Sequence, residues 1–328
     1  MNTLAIYNPQ SKNGNNARIL RALREKFGPS LSVEKTAYPS HATEIARKAA
    51  LQNVDTIIAV GGDGTVNEII NGIAGSDIAL GIIPAGTAND LASLYNLPTD
   101  VSDACDVILQ GNTRYADVIQ VNDRLYATAG GFGFPCEVAR IANEIRKYGT
   151  LGRLSGRLLG SFLYVLAFLI ALIGKDKRQN YWTVRADGFS VNLDALWLMV
   201  NNQPSLGKNF LMSPGAVNDD GLFDTCLVQN SVSRLKVLSL ALKVTRGKHV
   251  GCEGVTMGRY QELLLSTQTP IPFFGDGQVF EKSSMFRVRI LSGAMKVIVP
   301  ASDASSNIGS IPVEVVKNLE SQDNLRPS

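Results

Sequence analysis

The chain has 328 residues, 45% of them apolar and 19% charged, which is enough to bury a sizeable core and suggests two domains more readily than one. Its 32 Lys and Arg against 29 Asp and Glu leave a formal net charge of +3, dispersed without a long basic run, which argues against a nucleic-acid partner. The four cysteines, Cys105, Cys136, Cys226 and Cys252, lie far apart with neither metal-site spacing nor the density of a disulfide scaffold, so free thiols in a reducing cytoplasm are expected.

In chain order, the N-terminus carries no positive leader and runs straight into Asn8-Pro9, so Leu4 to Tyr7 is expected to be a first strand rather than part of a signal peptide. Ala17 to Phe27 has helical spacing, Leu31 to Thr36 alternates like a strand, and Ala42 to Gln52 is helical again. Thr56 to Val60 is a β-branched run that breaks on Gly61-Gly62, with a helix expected from Val66 to Ile73. Ile78 to Ile83 is another apolar strand, followed by a loop from Pro84 to Asp90 and a helix from Leu91 to Tyr95. This alternation predicts a parallel α/β sheet. From about Asp117 short strands predominate, at Asp117–Val121, Arg124–Ala129, Tyr181–Ala186, Ala195–Val200 and Leu222–Val228, then Glu262–Ser266, Phe286–Leu291 and Ala294–Val299. A helical region from Glu137 to Ile173 and a helix around Val232 to Thr245 interrupt them. An antiparallel, β-sandwich-like second domain is expected.

Leu158 to Ile173 is almost wholly apolar and is bracketed by Arg153, Arg157, Lys175, Lys177 and Arg178. It is shorter than the roughly 20 residues of a spanning helix, and reads as a buried helix or one lying at a membrane interface. The tail after Pro300 is polar and expected to be largely mobile from 301 to 328.

Gly61-Gly62-Asp63-Gly64-Thr65 sits where a parallel strand feeds a helix, so the backbone can approach an anion and the helix offers it unpaired N–H groups. Asp63 would repel a bare phosphate, which points to a shared cation or to proton handling; alone, the stretch also fits a tight turn with a solvated aspartate. Pro84-Ala85-Gly86-Thr87-Ala88-Asn89-Asp90 repeats the arrangement, and Asn8-Pro9-Gln10-Ser11-Lys12-Asn13-Gly14-Asn15 is a third strand-to-helix loop. Three such loops at neighbouring strand ends make one crevice. Neither a Walker-type Gly-Lys pair nor a G-x-G-x-x-G after the first strand is present.

Together Asn8-Pro9, Gly61 to Thr65 with Asn67-Glu68, and Pro84 to Asp90 resemble the catalytic domain shared by diacylglycerol, sphingosine and ceramide kinases and bacterial lipid kinases. Ala129-Gly130-Gly131-Phe132-Gly133-Phe134, Asp219-Asp220-Gly221-Leu222-Phe223-Asp224, Gly247-Lys248-His249 and Asp276-Gly277 extend the resemblance over about residues 4 to 300. It implies an α/β plus β fold: a parallel α/β nucleotide-binding domain at 1–121, to which about 294–319 return, and a β-sandwich lipid-substrate domain at 122–293, with the active site between them. ATP would contact Asn8, Thr36, Gly62, Asp63, Gly64, Thr65, Val66, Asn67, Glu68, Thr87, Asn89 and Asp90. Asp63, Asp90 and Asp117 would join a Mg2+ and water network, and a second metal position would use Asp220 with the backbone of Val217 and Leu222, hard oxygen donors suited to magnesium. The expected partners are a lipid substrate at the inner face of the membrane and, at most, a second copy of the chain.

The resemblance breaks at the base. The family's Asp-Gly-Glu supplies a glutamate that takes the hydroxyl proton; here the motif is Asp276-Gly277-Gln278, and glutamine cannot accept a proton at neutral pH. Either Asp63 or Asp276 takes over, or the chain is a catalytically weak or silent nucleotide- or lipid-binding relative. Lys12 stands where the family has glycine. The Gly-Gly-Asp-Gly loop also occurs in NAD kinases, which leaves NAD phosphorylation as a further reading. His249 reads as a ligand contact or as packing at a helix end.

Overall fold

Apolar residues bury both faces of β1 (Thr3–Tyr7), β3 (Thr56–Gly61) and β4 (Ala79–Pro84), while β2 (Leu31–Lys35) forms the more exposed edge. Leu4, Ile6, Ile57, Ala59, Leu80 and Ile82 face one layer of helices, whereas Ala5, Ile58, Val60 and Ile83 face another. The first layer holds α2 (His41–Ala50), α3 (Asp63–Ile73) and α4 (Asp90–Leu94); the second holds α1 (Asn16–Phe27) and α5 (Val101–Gln110). Val66, Ile69, Ile70 and Ile73 seat α3 on the sheet, each contributing about 1.5–3 kcal/mol. The strands run parallel in the order β2-β1-β3-β4, so the chain reverses its direction of travel between β1 and β3 and opens a crevice at their carboxyl ends.

The computed structural model describes residues 2–11, 16–148, 159–174, 181–186, 188–207 and 210–304. The expectations for Lys12, for the basic residues flanking Leu158 to Ile173, and for the tail from 305 lie outside these residues. Several elements differ from what the sequence suggests. α3 starts at Asp63, not Val66, so Gly62 alone separates it from β3. α5 was not anticipated, although Asp100 caps it by accepting from the Ser102 and Asp103 N–H groups.

After α5 come β5 (Thr113–Val121), β6 (Arg124–Tyr126) and the glycine strand β7 (Ala129–Gly133), followed by α6 (Phe134–Tyr148) and α7 (Leu159–Ile173). β8 (Tyr181–Ala186), β9 (Phe189–Asn201) and β10 (Phe223–Gln229) lead to α8 (Arg234–Val244). β11 (Val255–Tyr260), β12 (Glu262–Ile271), β13 (Phe273–Gly275), β14 (Gln278–Val279) and β15 (Ser283–Ile298) follow, with a short α9 (Ala301–Ala304). The 13-residue β9 is the corner: its first half pairs with β8 and its second with β7 and β10. Trp182, Leu198, Phe223, Leu263, Phe273 and Phe286 fill the interior between the two layers. β15 is one strand where the sequence suggests two. A register shift between Leu291 and Met295 bends it, and beyond the bend it pairs in parallel with β4.

α7 is buried along one side and exposed along the other. Leu163, Ala167, Ala171 and Leu172 are buried against α6 and the sheet, while Val165, Leu166, Leu169, Ile170 and Ile173 face outward, Ile173 at 76% exposure. No described helix is long and apolar enough to cross a membrane. The four cysteines are free, and His249 is buried with Nε2 against the Met212 carbonyl at 3.1 Å. Burial lowers its pKa, in keeping with the packing reading.

Asn202 ties the junction together. Its side-chain amide donates to the carbonyls of Asp117 (2.8 Å) and Ala127 (3.0 Å), and its own N–H donates to Thr128. Asn202→Ala is expected to cost about 1–3 kcal/mol for each carbonyl left unpaired, read as a lower urea midpoint with an unchanged slope.

Candidate active site

The crevice is built by two loops pressed backbone to backbone. A Cβ placed on Gly62 would lie 2.9 Å from the Gly86 Cα, and one placed on Gly86 would lie 2.4 Å from the Gly62 Cα, so neither position admits a side chain without separating the loops. The Ala85 N–H donates to the Gly61 carbonyl at 2.8 Å. Asp63 completes the lock: Oδ2 accepts from the Asn89 N–H (2.9 Å) and Oδ1 from the Asp90 N–H (2.6 Å). Asn89 takes a left-handed backbone (φ 52°) and turns its side chain back on Gly86, accepting from the N–H at 2.9 Å and donating to the carbonyl at 3.2 Å. Asp63 is therefore the fastener that holds the second loop against the first. Burial pushes its pKa up, while the N–H groups of Asp90 and Asn89 pull the other way.

The first N–H groups of α3 have no carbonyl one turn earlier, so the Gly62–Gly64 stretch offers donors and the positive end of a helix dipole. Asn8 sits at the end of β1, its N–H bonded to the Val60 carbonyl and its side-chain amide 3.5 Å from Thr65 Oγ1. Thr36 is buried at the end of β2, its N–H on the Tyr7 carbonyl. Thr65 and Val66 are buried, whereas Thr87 is exposed at the tip of the second loop.

Several residues expected at a nucleotide also join elements of the fold. The Glu68 carboxylate accepts from the N–H groups of Ser40 (2.9 Å) and Ala42 (3.1 Å) at the start of α2. Asn67 reaches across the crevice, its amide donating to the Leu125 carbonyl (2.9 Å) and to Asp276 Oδ2 (2.7 Å). Asp276 has a left-handed backbone (φ 47°), and its carboxylate accepts four bonds: from Asn67, the Ala127 N–H, the Thr128 N–H and the Thr128 hydroxyl. Burial raises its pKa, and those donors oppose the shift. Asp90 Oδ2 accepts from the Gly207 N–H of the second domain at 3.1 Å. Asn71 was not anticipated; it bonds the carbonyl and N–H of Leu125 at 2.9 and 3.0 Å. Its signal is the Asn67–Asn71 pair one turn apart, beside the apolar face of α3.

Gln278 stands at the crevice mouth. β14 places its side chain so that a Cβ on Gly64 would lie 3.6 Å from the amide nitrogen, beside the start of α3. The position is exposed, with the saturated Asp276 two residues earlier.

The acidic turn packs against Asp117. Asp117 is buried, Oδ2 accepting from the Gly221 N–H (2.7 Å) and Oδ1 from the Gly293 N–H (2.8 Å). Burial raises its pKa. Asp219 pairs with Arg114 at 2.5 Å and Asp220 with Arg259.

Paired glycine loops on a parallel α/β sheet, facing a hairpin of a β-sandwich, define a two-domain kinase architecture. Two family models match in tandem: the diacylglycerol kinase catalytic domain over residues 2–121 and the YegS C-terminal NAD kinase beta sandwich-like domain over residues 132–299. The diacylglycerol kinase of Bacillus subtilis (strain 168) is 29% identical, the match covering 83% of this chain and 88% of that protein. The diacylglycerol kinase of Staphylococcus saprophyticus is 31% identical, covering 83% and 87% respectively. A candidate diacylglycerol kinase from Bacillus anthracis str. Sterne shares the fold at a TM-score of 0.72 and 22% identity, over 92% of this chain and 97% of that one. An NAD kinase from Archaeoglobus fulgidus, solved in complex with ATP, shares it at 0.52 and 14%, over 92% and 95%. The chain belongs to the diacylglycerol kinase family, and it is an enzyme of the lipid kinase type.

Gly86→Ala is expected to destabilise the protein by about 1–3 kcal/mol, the usual cost of overpacking. Urea unfolding checks this; an unchanged midpoint would mean that the two loops are not in contact.

Proposed function

We propose that the enzyme transfers the γ-phosphate of ATP, presented as its magnesium complex, to the hydroxyl of diacylglycerol or a related long-chain lipid alcohol. The observation that carries the reading is the locked pair of glycine loops with the Gln278 amide beside Gly64. Backbone N–H groups at the start of α3 would cradle the triphosphate, with Asn8, Thr36, Thr65 and Thr87 bordering the nucleotide. Asp63 and Asn89 act by holding the cradle in shape, and Glu68, Asn67 and Asp90 by fixing α2 and the second domain against it. The curated relatives' names and the family model support a diacylglycerol-like acceptor.

The hydroxyl oxygen attacks the γ-phosphorus in line, the bond to the β–γ bridging oxygen breaks, and ADP leaves with that electron pair. Asp63 and Asp276 spend their carboxylate oxygens on N–H and O–H donors, so neither is an open base. The transition state of phosphoryl transfer is loose and the nucleophile loses its proton late; in this enzyme the proton passes to the transferred phosphoryl oxygens while Gln278 orients the hydroxyl. Every side chain invoked comes from one chain, so the proposal asks nothing of a second copy. The outward face of α7, with Leu166, Ile170 and Ile173 on one side of the helix, suits peripheral contact with the inner membrane surface where the acceptor resides.

Vesicles containing diacylglycerol, labelled ATP and magnesium test the reading directly. Labelled phosphatidic acid is expected, and ATP binding without transfer to any of several lipid alcohols would sink it. Gln278→Glu is expected to raise kcat by about 100-fold, the lower end of the range of general-base assistance, and to add an acidic limb, activity falling as pH drops through the new carboxyl pKa. The wild-type profile should lack that limb; a loss of activity in the variant would mean that the glutamine is needed as an amide. Leu166→Glu with Ile170→Glu should weaken vesicle sedimentation while sparing turnover of a short-chain diacylglycerol in solution; unchanged sedimentation would remove α7 from membrane contact.

A further inference from the structure

The turn Asp219-Asp220-Gly221-Leu222 leads into β10, and β11 lies antiparallel beside it with Asp224 opposite Arg259. The Arg259 guanidinium faces two carboxylates there: Nη2 donates to Asp220 Oδ2, and Nε lies 3.7 Å from Asp224 Oδ2, an ion pair beyond hydrogen-bond distance. The other oxygen of Asp220 accepts from the Leu222 N–H at 3.0 Å. The charges are largely withdrawn from solvent, with side-chain exposures of 19% for Arg259, 21% for Asp220 and 9% for Asp224.

The resemblance implies a resident magnesium ion held by Asp220 with the carbonyls of Val217 and Leu222. The residues do not fit it. A divalent cation needs a carboxylate oxygen at about 2.0–2.6 Å, and both oxygens of Asp220 are taken, one by an N–H and one by a guanidinium that would repel the ion. Asp117, the other expected oxygen donor, spends its carboxylate on Gly221 and Gly293, and Asp219 spends its own on Arg114.

We infer that the Arg259 guanidinium takes the place of a divalent ion as the cation that holds the acidic turn against β11. A buried carboxylate must have a cation or several donors, and a planar guanidinium, always charged and able to address two carboxylates, meets the need without metal. The turn in turn fixes Asn218, whose carbonyl accepts from the Asp117 N–H at 2.7 Å and whose amide meets the Tyr95 hydroxyl at 2.5 Å. The domain junction then keeps its form in chelator, and any magnesium requirement of turnover belongs to the nucleotide.

The test uses the full chain without nucleotide. Metal content after purification and thermal unfolding in EDTA or in millimolar magnesium or calcium are measured for the wild type and for Arg259→Met. The wild type is expected to hold no stoichiometric metal and to melt alike in all three solutions. Arg259→Met should melt several degrees lower in EDTA and recover in magnesium or calcium, because the vacated Asp220 oxygen becomes a ligand; adding Asp220→Asn should abolish the recovery. Stoichiometric metal in the wild type, a drop in its melting temperature in EDTA, or identical metal responses in wild type and variant would overturn the inference. If Arg259→Met does not fold, the wild-type metal content and EDTA response decide alone. None of these readouts involves phosphoryl transfer, so this inference and the kinase reading stand or fall separately.

Discussion

The constraint on which the crevice depends is the contact between Gly62 and Gly86, two α-carbons with no room for a methyl group between their loops. That contact is possible because β3 and β4 are parallel neighbours whose loops leave the sheet at the same level. Asp63 then converts proximity into a fixed geometry by accepting both N–H groups at the start of α4. A carboxylate at this position looks paradoxical in a phosphate loop. The paradox dissolves once its oxygens are seen to face backbone donors rather than the open crevice, because the charge is spent locally and the N–H groups at the head of α3 remain for an anion.

From this lock outward, the two halves of the chain are joined by a shared apolar core, in which Ala116, Val118 and Ala127 pack with α3 and the parallel strands, and by polar side chains. Asn67 and Asn71 project from the same helix that begins at the glycine loop and meet Leu125 and Asp276. Asp276 gathers Thr128 and Ala127, and Asn202 reaches Asp117 and Ala127 from the end of β9. The hairpin bearing Gln278 is thereby held over Gly64 by hydrogen bonds whose geometry tolerates little displacement. Precision at the crevice and cohesion between the domains come from the same network.

Much of the fold was legible because burial writes a period into the sequence. The β-branched run at Thr56 to Val60 and the alternating Leu4 to Tyr7 announce strands buried on both faces, and the glycine pairs announce close backbone approach. α5 carried a readable signal in Pro98-Thr99-Asp100 ahead of helical spacing, yet no loop motif drew attention to it. β7 is disguised by Ala129-Gly130-Gly131, where β propensity is low and the strand persists because β9 and β13 press so near that side chains would collide. β15 reads as two strands because Gly293 interrupts the pattern at the bend. The partners of Asp63, Glu68 and Asp276 were hidden for a different reason: each is set by tertiary placement, across 26 residues for Glu68 to Ala42 and 148 for Asp276 to Thr128. Residue type indicates that a carboxylate belongs in the crevice; only packing tells whether its oxygens are free.

The central claim is that the locked loops cradle a triphosphate whose terminal phosphate lies beside Gln278. A crystal structure with magnesium and a non-hydrolysable ATP analogue measures this most directly. The account predicts phosphate oxygens on the N–H groups of Gly62 to Gly64, the γ-phosphate within reach of the Gln278 amide, and the Asp63 bonds to Asn89 and Asp90 unbroken. A nucleotide seated elsewhere, or one that draws Asp63 away from those N–H groups to ligate the metal, would contradict it.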